Sequence, residues 1–193
     1  AHGKVVSIHS EESPSRNKAH LWQRPVMARN AFSGMLEWQQ KIKHASSADD
    51  ERTSLTMSDH YVHMMESISK DGYKSIALDL KSGAKVKDYE FPIALGKKKF
   101  WQIPSGNHLL QAYKTHIQLI DIKSGSVKWS AKTGKNISFV SASDDLKTVF
   151  VVESSGGWDE LGRHWLATGN SITKFVDGKK QWSKSQESPD IVH

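Results

Sequence analysis

The sequence predicts an all-β fold in which one short antiparallel motif is repeated four times along the chain. Each copy joins an apolar, strand-forming run to a glycine-containing turn, and the four glycines stand 49, 42 and 53 residues apart. In three copies a tryptophan follows four positions after the glycine. The turn glycines are Gly34, Gly83, Gly125 and Gly178, and the tryptophans are Trp38, Trp129 and Trp182.

The motif has the chemistry of a β-hairpin, and the two central copies show it most clearly. Asp79 and Asp121 each begin a segment Asp-x-Lys-Ser-Gly. Glycine suits such a turn because it adopts the positive φ that other residues avoid. The second copy departs from the pattern, since Lys87 stands at the tryptophan position and Tyr89 follows two residues later.

The segments between the motifs supply further strands. A single hairpin cannot bury its apolar face in water, whereas hairpins stacked in series can. About four strands in roughly 40–50 residues is the size of one blade of a β-propeller. We therefore predict a small or partial β-propeller, a single repeat domain over 1–193, with approximate repeats 1–45, 53–92, 99–133 and 136–185.

A helical interpretation competes with this one in two places. Met35, Leu36, Trp38 and Ile42 also fit an apolar stripe at helical spacing. Helices over 30–43 and 58–69 would make the chain an α+β protein of nuclease-like type. The repeat alignment favours strands.

Composition excludes several classes of site. Hydrophobic residues make up 37% and charged residues 25% of the 193, as in globular chains. The absence of cysteine excludes disulfides and thiolate metal sites. We expect no transmembrane segment, because no apolar run approaches the ~20 residues that span a bilayer. The start at Ala1 fits a mature periplasmic or secreted chain, favoured slightly over a cytoplasmic one, or a fragment of a longer protein.

The net charge of +6 favours anionic partners weakly. Nucleic acid is one such partner. The basic residues are spread along the chain rather than clustered, which is typical of a solvated surface.

The segments Ala77–Gly83 and Ile120–Trp129 resemble the repeat of the pyrroloquinoline-quinone-like, or quinoprotein-type, propellers, A-x-D-x-x-T/S-G-x-x-x-W. In that family the tryptophan docks one blade on another, which implies this role for Trp38, Trp129 and Trp182. Relatives include quinone-dependent dehydrogenases and non-enzymatic assembly scaffolds. Such propellers close with about six to eight blades. The resemblance therefore implies a four-bladed ring, a piece of a longer protein, or a ring completed by another chain or by oligomerisation.

One catalytic hypothesis is a Mg²⁺-dependent nuclease of the D…(D/E)-x-K type. Asp79 and Lys81 would form the core of that site, with Asp59 or Asp71 as the second carboxylate. The same Asp-x-Lys-Ser-Gly recurs at 121–125, which a repeated hairpin explains and a single active site does not.

Other chemistry has little support in the sequence. His60 and His63, three residues apart, fall on opposite faces of a strand, so we expect surface histidines and no metal site. The glycine-rich 154–157 is expected to form a flexible turn. Quinone dehydrogenases commonly carry vicinal cysteines over the quinone, and this chain has none, so we expect no cofactor.

The favoured function is therefore a non-enzymatic interaction scaffold with a protein partner. The extra sequence between Glu153 and Gly169 is expected to form an inserted loop on the binding face. The expected binding residues are Trp158, Asp159, Glu160 and Trp165. For the two tryptophans, burial in a blade core is an equal alternative. The alternative functions are the nuclease and a fragment of a quinone-dependent dehydrogenase.

Overall fold

The computed structural model describes residues 3–8, 22–44, 55–67, 73–90, 100–158 and 165–187. These residues form fifteen strands, and none of the described ranges contains a helix. The all-β prediction is therefore confirmed. The helical alternatives are wrong where the structure describes them, because strands Leu36–His44 and Tyr61–Ser67 occupy those segments. No described segment is a helix with the length and hydropathy needed to cross a membrane.

The strands form four antiparallel sheets, each an up-and-down meander in chain order. Sheet 1 contains β1 (Lys4–Ile8), β2 (Trp22–Asn30) and β3 (Leu36–His44). Sheet 2 contains β4 (Thr56–Met57), β5 (Tyr61–Ser67), β6 (Tyr73–Asp79) and β7 (Lys85–Glu90). Sheet 3 contains β8 (Phe100–Ser105), β9 (His108–Tyr113), β10 (His116–Asp121) and β11 (Val127–Lys132). Sheet 4 contains β12 (Asn136–Ala142), β13 (Thr148–Trp158), β14 (Trp165–Val176) and β15 (Lys179–Glu187).

The motif glycines occupy the last hairpin turn of each sheet. All four adopt the left-handed backbone conformation, with φ between +66° and +76°. The turns are closed by backbone hydrogen bonds, such as Gly34 N–H to the Asn30 carbonyl at 2.9 Å and Gly83 N–H to the Asp79 carbonyl at 2.8 Å. The four motif glycines thus all lie in last hairpin turns, the fourth in a shorter, two-residue turn where Asp177 also has a positive φ.

The chain divides into two compact units. The first comprises Ala1–Lys97 together with Ile122–Gly125, and the second comprises Lys98–Asp121 and Ser126–His193. The core of the first unit lies between one face of sheet 1 and one face of sheet 2. Its buried members are Val26, Ala28, Trp38, Ile42, Val62, Met64, Ile76, Leu78 and Leu80.

Trp38 makes the most specific contact in this core. Its indole Nε1 donates a hydrogen bond to the Leu80 carbonyl at 2.9 Å. The ring lies against the Gly83 turn so closely that a Cβ on Gly83 would come within 2.6 Å of Trp38 Cδ2. Glycine is thus required twice at this turn, for its positive φ and for the space that the ring occupies.

Two residues replace the tryptophan in the second copy of the motif. The aliphatic part of Lys87 lies over Gly125, where a Cβ would come within 2.5 Å of Lys87 Cε. The Tyr89 hydroxyl donates a hydrogen bond to the Ile122 carbonyl. Ile122 precedes Gly125 by three residues, as Leu80 precedes Gly83. The two side chains therefore divide between them the two contacts that Trp38 makes alone.

The core of the second unit lies between sheets 3 and 4. Trp129 packs on the Gly178 turn, where a Cβ would come within 2.9 Å of Trp129 Cδ2. The buried members of this core are Leu110, Ala112, Ile117, Leu119, Ile137, Val140, Leu146, Val149, Val151 and Phe175.

Alanine substitutions at two turn glycines separate backbone strain from lost docking. At Gly34 (φ +71°) no atom of the described residues lies within 4 Å of an added Cβ, so Gly34→Ala should cost only the left-handed strain, about 1 kcal/mol. Gly83→Ala (φ +73°) should add about 1–3 kcal/mol, because the Trp38 ring must move. Urea denaturation of both variants gives the comparison. Equal losses of unfolding free energy would contradict the docking role of Trp38.

Candidate interaction surface

The outer face of sheet 4 carries large apolar side chains in contact with solvent. We define it by Phe139, Phe150, Ile172 and Trp182, whose exposed fractions are 56%, 38%, 45% and 39%. Strand alternation explains this placement, because Val149 and Val151 point into the core while Phe150, between them, points away from it. Phe139 and Ile172 both pair with Val152, which places them on the same side as Phe150.

The strand register relates this face to the buried face of sheet 3. In sheet 3, Trp129 pairs with Leu119 and Leu119 pairs with Leu110. In sheet 4 the same row consists of Trp182, Lys174 and Phe150. In sheet 3 this face packs against sheet 4, whereas in sheet 4 it is exposed. Trp182 therefore differs from Trp38 and Trp129, which pack on glycine turns.

Lysines stand beside the aromatic rings of this face. Lys174 occupies the row position that Leu119 holds in sheet 3, and its Nζ lies 5.9 Å from the centre of the Phe150 ring. The Nζ of Lys184 lies 5.8 Å from the Trp182 ring. The two rings are 6.2 Å apart and inclined by 54°. The outer face thus combines aromatic surface with positive charge held over it.

The hairpin of β13 and β14 extends beyond the rest of sheet 4. Pairing with β12 ends at Ser154 and pairing with β15 ends at Gly169, while Gly156 to Trp158 pair only with β14 among the described strands. The expected inserted loop over 153–169 is therefore wrong for most of its length, because strands continue through it. The flexible turn expected at 154–157 is wrong for the same reason.

Two of the four predicted binding residues bound the described strands of this hairpin, since Trp158 is the last residue of β13 and Trp165 is the first of β14. Trp158 and Trp165 are Cα partners across the two strands. Their side chains, and all of Asp159 and Glu160, lie outside the described part of the chain.

Asp79, the carboxylate of the nuclease hypothesis, is hydrogen-bonded to residues of its own turn. Asp79 Oδ1 accepts hydrogen bonds from the Ser82 hydroxyl and the Ser82 N–H, both at 2.8 Å, and from the Lys81 N–H at 3.1 Å. The hydroxyl, followed by the backbone donors, holds the pKa of Asp79 below its ordinary value. In sheet 1 the neutral amide of Asn30 accepts the corresponding N–H bonds from Phe32 and Ser33, both at 3.0 Å.

The remaining nuclease residues add little to such a site. Asp59 and Lys81 are exposed, and Asp71 lies outside the described residues. Within the described ranges, no group of three or more His, Asp or Glu side chains could hold a metal ion.

His63 is not a surface histidine, contrary to the sequence prediction, whereas His60 is exposed. The His63 ring is fully buried in β5, with Nε2 3.4 Å from Ser58 Oγ, and its Nδ1 has no hydrogen-bond partner among the described residues. Burial lowers its pKa to about 4. The continuous apolar run around it, from Tyr61 to Met65, is the sequence pattern of a strand buried on both faces.

Two buried glutamates were not singled out in the sequence. Glu66 and Glu153 occupy equivalent positions of β5 and β13, three residues after His63 and Phe150 respectively. Glu66 accepts bonds from the Lys43 N–H at 3.4 Å and from Lys85 Nζ at 2.8 Å. Glu153 accepts bonds from the Lys135 N–H at 2.9 Å and from the Thr173 hydroxyl. Each carboxylate therefore accepts a hydrogen bond from a backbone N–H at or just beyond the end of the preceding sheet.

Comparison with solved structures identifies the fold. Hydrazine synthase from Kuenenia stuttgartiensis is similar over 84% of this chain and 43% of its own, with 14% identity and a TM-score of 0.55. The β-propeller domain of the trilobed protease from Pyrococcus furiosus matches 93% of this chain and 53% of its own, at 15% identity and a TM-score of 0.55. A europium-containing methanol dehydrogenase is similar over 84% of this chain and 39% of its own, with 13% identity and a TM-score of 0.54.

No family model matches the sequence, and no curated protein matches it. The chain spans about half or less of the length of these three proteins. Identities of 13–15% establish the fold alone. The predicted β-propeller-type architecture is confirmed.

The buried imidazole makes stability depend on pH. The unfolded chain binds a proton on His63 near pH 6.5, whereas the folded chain does so only near pH 4. The unfolding free energy should therefore fall by about 3 kcal/mol from this residue as pH drops across that window. His63→Leu, which introduces the residue type that Leu110 supplies at the equivalent position of sheet 3, should remove this component. Denaturation from pH 7 to 4 tests it, with His60→Gln as the exposed control; unchanged slopes in both variants would refute the assignment.

The role of Asp79 in its turn predicts that two substitutions will differ in their effect on stability. Asp79→Asn keeps an acceptor oxygen, as Asn30 does in sheet 1, and should preserve most stability. Asp79→Ala leaves the turn donors unpaired and should cost about 1 kcal/mol. Urea denaturation measures this, and Mg²⁺-dependent cleavage of plasmid DNA is assayed in parallel. Cleavage by the wild type that Asp79→Asn abolishes would establish the nuclease hypothesis instead.

Proposed function

We propose that the chain is a non-enzymatic, propeller-type interaction module that binds a protein through the outer face of sheet 4. The observation that carries this proposal is the exposure of a face whose counterpart in sheet 3 is covered by another sheet. Contiguous exposed aromatic and aliphatic side chains are characteristic of binding surfaces. Tryptophan is among the commonest anchors at such surfaces.

The end of the β13–β14 hairpin belongs to the proposed surface. Its strands continue from sheet 4 as far as Trp158 and Trp165, and Asp159 and Glu160 follow Trp158 in the sequence. A ribbon that leaves its sheet offers backbone donors and acceptors as well as side chains to a partner. We assign it the secondary role, because the described contacts that support binding lie on the outer face.

We also infer that the four sheets are degenerate copies of one quinoprotein-type repeat. The recurring turn glycines and the rings at Trp38 and Trp129 that pack on them support this inference. In one form of the proposed interaction, a further blade covers the outer face. That blade comes from another chain or from another part of the same protein.

Photo-crosslinking tests the proposed surface in the native host. A photoreactive residue at position 172 should give a discrete protein adduct, and the double change Phe150→Ser with Trp182→Ser should abolish it. The same residue at position 128, exposed on the edge strand of sheet 3, serves as the control. Equal labelling at both positions, or no adduct at 172, would argue against the proposal.

Two tryptophans in equivalent positions should differ in their effect on stability. Trp182→Ala removes a ring from an exposed face and should cost less than about 1 kcal/mol. Trp129→Ala removes a ring packed on Gly178 and should cost about 3 kcal/mol. Thermal or urea denaturation compares them. Similar losses would mean that Trp182 has a role in the folded core, which is incompatible with its use as a free anchor.

A further inference from the structure

We infer that the partner segment bound by the outer face of sheet 4 is acidic as well as apolar, with carboxylates that pair with Lys174 and Lys184. This inference rests on the proposed function and adds the chemistry of the partner. The proposed occupant is an acidic protein segment that lies across the face, and not a second copy of this chain or a nucleic acid.

Two positions that are apolar in sheet 3 are occupied by lysines in sheet 4. Lys174 occupies the place of Leu119, and Lys184 occupies the place of Ala131, which pairs with Ile117 as Lys184 pairs with Ile172. The tryptophan is retained and Phe150 replaces Leu110, while the apolar Leu119 and Ala131 are replaced by lysines. The outer face therefore differs from the face that sheet 3 presents to sheet 4.

Covering Lys174 and Lys184 would remove water from their ammonium groups. An ammonium group buried beneath an apolar sheet loses its hydration, which is strongly unfavourable without a paired anion. Within the described residues, Lys174 and Lys184 contact aromatic rings, and neither forms an ion pair. A covering segment must bring its own carboxylates, because the described side chains of this face include none.

A second copy of this chain is disfavoured as the occupant by its charge. The exposed apolar residues of sheet 1, Val5 and Leu36, both pair with Arg29, so that face is basic as well. The net charge of the chain is +6. Two copies joined through these faces would place like charges together, which disfavours association.

The shape of the face favours protein over nucleic acid. Aromatic rings with lysines also bind single strands by base stacking. Here, however, Lys174 and Lys184 stand over the Phe150 and Trp182 rings, and the aliphatic Ile172 lies on the same face. Aliphatic surface beside partly covered rings suits apolar side chains better than bases.

The edge of the sheet directs the segment onto the face. The edge strand β15 carries Lys179, Lys180 and Lys184. Lysines on an edge strand discourage the addition of another strand. The partner segment is therefore placed across the side chains, where an extended chain alternating acidic and apolar residues on one side reaches both rings and both ammonium groups.

The test uses a synthetic peptide repeating Leu-Ser-Glu-Ser, which presents leucine and glutamate on the same side of an extended chain. Heteronuclear NMR titration of the full chain should show shifts at Phe150, Ile172 and Trp182. The double variant Lys174→Gln with Lys184→Gln should weaken binding about tenfold. The charge-matched control, Lys128→Gln with Lys132→Gln on sheet 3, should bind as the wild type does.

Three outcomes would overturn the inference. They are equal weakening in both double variants, equal binding of the Leu-Ser-Gln-Ser analogue, and tighter binding of an oligothymidylate that depends on Lys174 and Lys184. Crosslinking at position 172 keeps this failure distinct from that of the proposed function. An adduct there without peptide binding would reject the acidic partner and retain the surface, whereas loss of both would reject both.

Discussion

The packing of an aromatic ring on the glycine turn of the following sheet is the contact on which the repeated architecture depends. A turn glycine must meet two conditions, a left-handed backbone and no Cβ beneath the ring, and Gly83 under Trp38 meets both. The indole N–H also finds a carbonyl, so the ring is buried without leaving a polar group unpaired. Where Lys87 replaces tryptophan, Tyr89 restores the hydrogen bond. The contact is therefore kept between these elements although the tryptophan is not.

The fold could be predicted from the sequence because its defining pattern is local. A turn of fixed composition, with an aromatic residue at a fixed distance, requires no knowledge of the rest of the chain. The helical stripe from Met35 to Ile42 was misleading because a spacing of four residues fits one face of a strand as well as one face of a helix. Trp38 and Ile42 are both buried on one face of β3, whereas Met35 and Leu36 are exposed. The extended hairpin was missed for a similar reason: Gly156 and Gly157 are typical of turns, yet they lie in a strand beside a bulge.

The candidate surface could not be predicted in the same way. Alternation along β13 assigns Phe150 and Val151 to opposite faces, but it does not say which face another sheet covers. Leu110 and Phe150 hold equivalent register positions, and one is buried while the other is exposed. His63 shows the converse error, because a polar side chain was assigned to the surface although its strand is covered on both faces. Coverage is a property of neighbouring sheets and is not encoded in any single strand.

The ring-on-glycine contact also has a polarity, because the ring comes from the earlier sheet and the turn from the later one. Duplication of the gene segment for one whole sheet would deliver a new ring and a new turn together. The added copy would satisfy both of its neighbours at once, wherever in the series it was inserted. Arrays of this kind can thus lengthen by recombination without compensating changes elsewhere, and single substitutions such as that at Lys87 need repair only within one pair of sheets.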